Sequence, residues 1–481
     1  MYKLLPFRFH KANEEVFLSN EAGEYAIVSV STFEKLINYT LNIGSEEYIN
    51  LKSKFIIADD NIAAALDMLS IKYRTKKSFL YDFTSLHMVV PTLCCNSKCT
   101  YCQVSSKNQE EAGYYMDNKT AKAVVETIFK SPSKYIKIEF QGGEPLLNLD
   151  IVKYIVAYAN ALNRVFKKHL QFVVCTNLTL INKDILSYFA SNNIHISTSL
   201  DGPKELHTSN RPLKNGKNSY DVYCNNLKLA KEILGKDRIS ALMTTTRASL
   251  KKGREIVDEY VNQGFNYIFM RNLNPYGQAI HSEDVIGYKI EEFIGFYKNA
   301  LKYIIEVNLK GYHMVEGYAS ILLKKILTPF STGFVDLQSP AGVGISSVIY
   351  NYDGNVYASD EGRMLASMGD NKFLLGNVTS NSYEEIFGGQ GLFSLIKQSC
   401  SEIIPGCAYC AYLPFCGADP VRNYVETGDI VGNRTRSLSC KKNMAIIQHL
   451  LELIQSGNDD ILDVFWSWIT NRSLRETKIK Q

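Results

Sequence analysis

Three cysteines on one short loop, Cys95, Cys99 and Cys102, limit what this chain can fold into more than any other feature. They lie in Pro91-Thr-Leu-Cys-Cys-Asn-Ser-Lys-Cys-Thr-Tyr-Cys-Gln103, directly after the apolar run from Leu86 to Pro91. The spacing is C-x3-C-x2-C, with aromatic Tyr101 before the last cysteine. Three thiolates this close can each take one iron of a cubane iron–sulfur cluster, which ordinarily binds four cysteines. The fourth iron then stays open, and an open metal position is where a small molecule binds and reacts. The same residues could also make a zinc knuckle or a group of buried thiols.

The rest of the composition narrows the setting. A chain of 481 residues is long enough for several domains and a large core. The net charge is +4 with acids and bases interspersed, so there is no electrostatic footprint for nucleic acid. Met1 to His10 has no long apolar run and no cleavage pattern, and no stretch approaches the length of a membrane span. The expected location is the cytoplasm, with no membrane partner. There, eleven cysteines read as metal ligands and thiols rather than as a disulfide scaffold. Cys94, Cys175 and Cys224 stand outside the tight groups and read as ordinary buried thiols.

Residues 1 to about 80 read as a separate α+β unit. Val16-Phe-Leu-Ser and Glu24-Tyr-Ala-Ile-Val-Ser are expected strands around a turn at Asn20 to Gly23. Ser31-Thr-Phe-Glu34 has the form of a capping box opening a helix, and a second helix is expected over Asn61 to Lys72. Such a unit is either a brace or a wing that docks a peptide on its strand edge.

From Leu86 to about Pro275 strands and helices alternate. The strand candidates are Leu86–Pro91, Ile136–Gln141, Gln171–Thr176, Ile194–Leu200, Ile239–Thr245 and Tyr267–Arg271. Helical stretches near 118–131, 150–168, 182–192, 219–235 and 251–263 separate them. This rhythm predicts an α/β fold with a parallel sheet, either open or a partial barrel, with the active face at the strand C-terminal ends. Residues 284 to about 330 read as helical and connecting. A hairpin with its turn at Asp353-Gly354 follows, and Cys407-x2-Cys410-x5-Cys416 with Cys440 forms a second cysteine group. The chain ends in amphipathic helix from Lys441 to about Arg472.

Unusual residues collect at the expected strand ends: Gln141-Gly-Gly-Glu-Pro145, Cys175-Thr-Asn177, Ser199-Leu-Asp-Gly-Pro203 and Arg271-Asn-Leu-Asn-Pro-Tyr-Gly277. An open iron can chelate an amino acid through amine and carboxylate, and S-adenosylmethionine offers both. Gly142 and Gly143 let backbone come close. Glu144 can accept from the ammonium end, Arg211 and Ser199 could hold the carboxylate, and Asp201 or Asn177 could take ribose hydroxyls.

The C-x3-C-x2-C loop, the Gly-Gly-Glu-Pro turn and the Ser-Leu-Asp-Gly-Pro strand end resemble the radical S-adenosylmethionine (SAM) superfamily over about residues 86 to 275. The continuation through Asp353-Gly-Asn-Val-Tyr and the second cysteine group resembles the subgroup with a SPASM C-terminal domain. Leu5-Pro-Phe-Arg-Phe9, Ile138 to Asn148, Asp336-Leu-Gln-Ser-Pro-Ala-Gly342 and Cys416-Gly-Ala-Asp-Pro420 are similar to the His-Xaa-Ser system maturases.

The resemblance implies a partial (β/α)6 barrel over 81–280 and a winged-helix-like, possible peptide-recognition domain over 1–80. It implies a helical connection over 281–335, a SPASM-like domain over 336–445 and terminal helices over 446–481. It implies reductive cleavage of SAM to a 5′-deoxyadenosyl radical that takes hydrogen from a ribosomal precursor peptide, installing an oxidative cross-link or macrocycle. The peptide would be of the His-Xaa-Ser repeat type. Further partners would be a second radical SAM maturase and an electron donor such as flavodoxin or ferredoxin.

A full SPASM domain carries two auxiliary clusters. Ligands of the first should fall near Ser339, Ile345, Ser359 and Pro420, none of which is cysteine; those of the second fall on Cys407, Cys410, Cys416 and Cys440. One auxiliary 4Fe-4S cluster is expected beside the radical SAM one, with a zinc ribbon as the alternative use of the four thiolates. Cys400 is a possible substitute ligand. Asp360 matches the position of a general base in sulfatase-maturing relatives. Two rival functions stay open: oxidation of a sulfatase Ser or Cys to formylglycine, and a non-catalytic chaperone of the precursor peptide.

Overall fold

In the computed structural model, Leu86–Thr92 is the strand on which the main sheet is built, and it is buried along almost its whole length. The structure describes residues 2–59, 61–274 and 276–478; Pro275, in the loop expected at the last strand end, lies outside them. With Leu86–Thr92 as β1, the sheet continues through β2 (Tyr135–Gly142), β3 (His169–Cys175), β4 (Ile194–Ser199), β5 (Ile239–Thr244) and β6 (Met270–Arg271). Neighbours follow chain order and every one of these pairs is parallel. An α/β fold with a parallel core sheet is therefore present, and the strand C-terminal ends share one edge.

The intervening helices are Asn118–Phe129, Leu149–Phe166, Lys183–Ser191, Ser219–Leu234 and Gly253–Asn262. Each forms where the apolar period is helical. In Asn118–Phe129 the buried Ala121, Val124, Val125 and Ile128 make one stripe, and Asp117 caps the helix by accepting from Thr120 N at 2.7 Å.

Two features depart from the sequence reading. The sixth strand is split: Tyr267–Ile268 pairs with Val315–Glu316, and only Met270–Arg271 pairs with β5. The expected hairpin, β7 (Ser347–Tyr350) and β8 (Asn355–Tyr357), is not a satellite. β7 runs parallel to β1, from Ser347 beside Leu86 to Tyr350 beside Val89. A further strand, β9 (Leu374–Asn377), pairs antiparallel with β8 and completes nine strands. The apolar Val348-Ile-Tyr350 run thus covers what would be the open edge of β1.

Packing divides the chain into two compact units. One holds Met1–Tyr81, Ile321–Gly342 and Leu395–Leu451; the other holds Asp82–Ser320, Val343–Ser394 and Glu452–Gln481. In the first, Arg8–Ala12, Glu15–Ser19 and Tyr25–Ser29 form an antiparallel sheet over a core that includes Val16, Leu18, Val28, Leu36 and Leu51. The first helix, Val30–Ile37, starts ahead of the expected Ser31. The strand runs straight into it, so Ser29 is the cap and its hydroxyl accepts from Thr32 N at 3.0 Å. Among the described residues no helix is long and apolar enough to cross a membrane.

The split sixth strand is held by a buried acid. Glu316 accepts from Met270 N at 3.3 Å, from Ala319 N at 2.6 Å and from the Tyr297 hydroxyl. Burial lifts its carboxyl above the ordinary range, against the pull of those donors. A carboxyl with a raised folded pKa holds its proton more tightly folded than unfolded. Stability should therefore fall as pH rises from the unfolded value of about 4.3 through the folded one. Glu316→Gln should flatten that slope in melting scans against pH; an unchanged slope would place the pH dependence elsewhere.

Candidate active site and metal centres

The cysteine loop leaves the C-terminal end of β1 and is fastened on both sides by backbone hydrogen bonds. On one side Cys95 N donates to Lys107 O at 3.1 Å, Glu144 N to Cys94 O at 2.8 Å and Gly143 N to Thr92 O at 3.0 Å. On the other, Lys98 N donates to Pro212 O at 2.8 Å, Thr100 N to Asn210 O at 2.9 Å and Lys214 N to Asn96 O at 3.0 Å. At about 1 kcal/mol net for each such bond, the loop is costly to open. The Gly-Gly turn at the end of β2 is required by this contact. Gly142 has φ of +118°, and a Cβ on Gly143 would fall 2.1 Å from Cys94 O.

Side chains at the other strand ends tie the same loop. Asn177 donates its amide to Asn96 Oδ1 at 2.8 Å and Ser97 Oγ at 3.0 Å. Glu144 is fully buried; it accepts from Thr176 Oγ1 at 2.7 Å, Asn177 N at 2.9 Å and Leu146 N at 3.2 Å. Burial raises its carboxyl to about 7, against those donors. Tyr101, between Cys99 and Cys102, donates to both oxygens of buried Asp201 at 2.8 and 2.6 Å. Arg211 pairs with the same carboxylate through Nε at 3.1 Å and lies over the Tyr101 ring, 5.1 Å from its centroid. Of the residues read as SAM contacts, Asn177 and Asp201 thus spend polar atoms on holding the loop, and the Glu144 carboxylate holds Asn177 in turn through its backbone N. Gly142 and Gly143 line the turn against the cysteine backbone, and Ser199 ends β4. His207 is buried, with its ring nitrogen 3.4 Å from Asp201 N, and burial holds it down at about 4.

All eleven cysteines are free thiols. Burial pushes Cys95 well up, and Glu144, Cys99 and Cys102 add to the effect. Cys99 is pushed up to about 12 by burial, with Arg211 opposing. Without metal these thiols therefore hold their protons, and a metal must displace them. Among the described residues no three His, Cys, Asp or Glu side chains are arranged around a single metal ion. A cubane asks for no such convergence, because each thiolate takes a different iron. Three thiols on a rigid loop, beside a turn that admits no side chain, fit that group.

One face of the sheet is polar, which the sequence reading passed over. Along β2, Lys137, Glu139 and Gln141 alternate with buried Ile136, Ile138 and Phe140. Glu139 pairs with Lys137 at 2.9 Å, accepts from Gln141 Nε2 at 2.6 Å and takes Cys175 Sγ at 3.5 Å from β3. Burial works against the Glu139 charge, but Lys137 and these donors hold its carboxyl below the ordinary range. Buried parallel strands usually read as continuous apolar runs, so alternation in β2 was the available signal.

In the second group the thiols lie near enough to raise one another. Burial raises Cys407 to about 12, with Cys416, Cys410 and Cys440 adding to the rise, and Cys440 to about 11, with Cys416 and Cys410 adding to it. Cys400 is moved instead by burial, Glu402 and Lys77, apart from the quartet. Asn443 Nδ2 donates to Cys416 Sγ at 3.5 Å, and buried Ser439 Oγ, next to Cys440, has no partner. That orphaned donor suits an acceptor-rich group held by the four sulfurs.

The positions where a first auxiliary cluster would bind have structural tasks. Ser339 donates to Glu402 and accepts from Ser401 N at 2.8 Å. Ile345 is buried, Ser359 caps the helix Asp360–Ser367 by accepting from Gly362 N at 3.1 Å, and Pro420 opens the helix Pro420–Thr427. Asp360 accepts from Arg363 Nε at 3.0 Å.

Asp201→Asn removes the counter-charge of a buried guanidinium and should cost about 3 kcal/mol or more. Denaturant unfolding of the metal-free protein measures it; a change under about 0.5 kcal/mol would show that the Tyr101–Asp201–Arg211 contact is dispensable.

Comparison with known proteins agrees with this geometry. Residues 89–270 match the Radical SAM superfamily. The chain is 24% identical over 347 residues to the cysteine-type anaerobic sulfatase-maturating enzyme of Clostridium perfringens (strain 13 / Type A), covering 70% of this chain and 89% of that one. It is 38% identical over 125 residues to an uncharacterised Methanocaldococcus jannaschii protein, but spans only 41% of that relative. The fold matches native anSMEcpe with bound AdoMet and Cp18Cys peptide, with a TM-score of 0.64 at 21% identity over 78% of this chain and 99% of that one. It also matches Streptococcus suis SuiB bound to precursor peptide SuiA, with a TM-score of 0.55 at 13% identity over 92% of this chain and 100% of that one. Residues 89–270 therefore carry the match to the Radical SAM superfamily, in a chain with the fold of anSMEcpe and SuiB.

Proposed function

We propose that the enzyme oxidatively modifies a ribosomal precursor peptide, most simply by closing a cross-link. The observation that carries this reading is the three-cysteine loop, locked against the Gly142–Gly143 turn at the mouth of a sheet with one polar face. The likeness to anSMEcpe and SuiB, both solved with bound peptides, supports a peptide substrate. The six parallel strands are taken as a partial barrel, and the second cysteine group as a SPASM-type site.

Cys95, Cys99 and Cys102 would hold the cluster. When bound, it and SAM supply a carbon radical able to take a hydrogen atom. The Gly142–Gly143 backbone lets the amino-acid end of SAM approach. Arg211, its Nε on Asp201 at 3.1 Å, would offer its remaining N–H groups to the carboxylate, with Ser199 at the adjacent strand end. Glu144, Asn177 and Asp201 act by positioning the loop. Asp360, paired with Arg363 at 3.0 Å, is the candidate proton acceptor at the substrate. Cys407, Cys410, Cys416 and Cys440 would hold one auxiliary cluster. The substrate is taken as a His-Xaa-Ser repeat peptide.

The sulfatase-maturating relative favours a second reading, conversion of a Ser or Cys to formylglycine. Anaerobic incubation of reduced enzyme with SAM should release 5′-deoxyadenosine, and Cys95→Ala, Cys99→Ala and Cys102→Ala should each abolish it. Release by those variants would end the proposal. Peptide co-produced with the enzyme should lose two hydrogens and stay inert to an aldehyde-reactive probe; a labelled peptide selects formylglycine. Asp360→Asn should lower product at least tenfold while 5′-deoxyadenosine still forms; full product yield would remove Asp360 from the chemistry.

A further inference from the structure

The surroundings of the distal quartet carry more than four ligands. Arg434 donates through Nη2 to Asn423 Oδ1 at 3.0 Å and Val431 O at 3.3 Å, but its buried Nε has no acceptor. Its side chain lies against the residue before Cys407: a Cβ on Gly406 would come within 2.9 Å of Arg434 Cγ. A buried charged donor left unmatched pays its desolvation with nothing in return. Nothing in the polypeptide answers this one, whereas thiolate and sulfide sulfurs at Cys407 would.

Two more cations close on the same loop. Arg8 Nε donates to Ala408 O, between Cys407 and Cys410, while its Nη2 pairs with Glu21 at 2.6 Å. Lys325 Nζ donates to Leu337 O and reaches Cys416 O at 3.5 Å. Of the nearby acids, Glu21 is held by Arg8, Glu402 by Lys77 at 2.5 Å, and Glu426 by Arg422 at 3.8 Å. Arg434 has no carboxylate within ion-pair distance among the described residues, so its charge acts on the quartet less screened than that of Arg8; Lys325 has none either, but burial pulls its ammonium down to about 7 and makes its share smaller.

We propose that Arg434 Nε donates a hydrogen bond to the cluster held by Cys407, Cys410, Cys416 and Cys440. We further propose that Arg434, with smaller shares from Lys325 and Arg8, makes that cluster easier to reduce. This rests on the reading that the quartet holds iron and sulfide. Net charge and hydrogen bonds to sulfur are the protein's main levers on such a potential, and here both act in one direction. These are positioning residues: they touch the redox group's surroundings, and no bond of the substrate. A site tuned this way suits an electron acceptor better than a purely structural staple.

The test uses the full chain with Cys95, Cys99 and Cys102 changed to alanine, so that only the quartet can hold iron. After anaerobic reconstitution, iron and sulfide are counted and the midpoint is followed by electron paramagnetic resonance. Arg434→Met and Lys325→Met should each shift the midpoint negative at unchanged iron content. Arg434→Lys should recover most of the charge effect but not the exchangeable-deuteron coupling of the Nε–H bond. An unchanged midpoint in both methionine variants overturns the proposal. If Arg434→Met fails to hold iron, Arg434→Lys and Lys325→Met decide it by the same readout. If the starting protein takes up no iron and sulfide, the quartet reading itself fails and the proposal with it.

Discussion

One buried carboxylate, Asp201, sets the geometry of the cysteine loop. It sits at the end of β4, takes the hydroxyl of Tyr101 from the middle of the loop, and neutralises Arg211. A buried acid is expensive unless it is paired and fully hydrogen-bonded, and here both conditions are met by residues from different loops. The consequence is specificity of position more than net stability. Tyr101 cannot leave Asp201 without stripping hydrogen bonds from a buried carboxylate, so Cys99 and Cys102 on either side of it keep their places. Asn177 does the same for the first half of the loop through Asn96 and Ser97.

The sheet makes this arrangement possible by sending every strand end to one edge. Parallel strands bring residues far apart in sequence to neighbouring ends, so that Gly143, Asn177 and Asp201 all reach one loop. The alternation along β2 then leaves Glu139, Lys137 and Gln141 on a face that an ordinary parallel sheet would fill with aliphatic side chains. Those polar groups satisfy one another, which lets a polar face persist beside the site without unmatched charge.

The distal quartet is braced differently. Its loop is packed by the N-terminal antiparallel sheet within one compact unit: Phe17 stacks on Tyr412 at 5.2 Å, Tyr25 meets Phe415 edge-on at 6.1 Å, and Ser19 donates to Ala411 O. Offset and edge-on aromatic contacts of this kind add roughly 0.5–1.5 kcal/mol each beyond burial. The strands that the sequence suggested as a brace or a peptide wing therefore support the loop of the second cysteine group directly. This is also why the N-terminal segment and residues 395–451 share a unit although hundreds of residues separate them.

The order of the parallel strands and their helices was readable from local patterns, because the 2.0 and 3.6 residue periods are local properties. So was the cysteine loop, since its three cysteines lie within eight residues of each other. The partners of Glu144, Asn177 and Asp201 were not readable. Nothing local tells whether a polar side chain at a strand end faces a ligand or a neighbouring loop. The docking of Ser347–Tyr350 beside β1 was equally hidden, since hairpin signals say nothing about which edge a hairpin will cover. Sequence alone determined which residues could bind metal and where the sheet would run. Only the tertiary structure decided which charges and hydrogen bonds those residues would meet, because such partners come from the packing of distant segments.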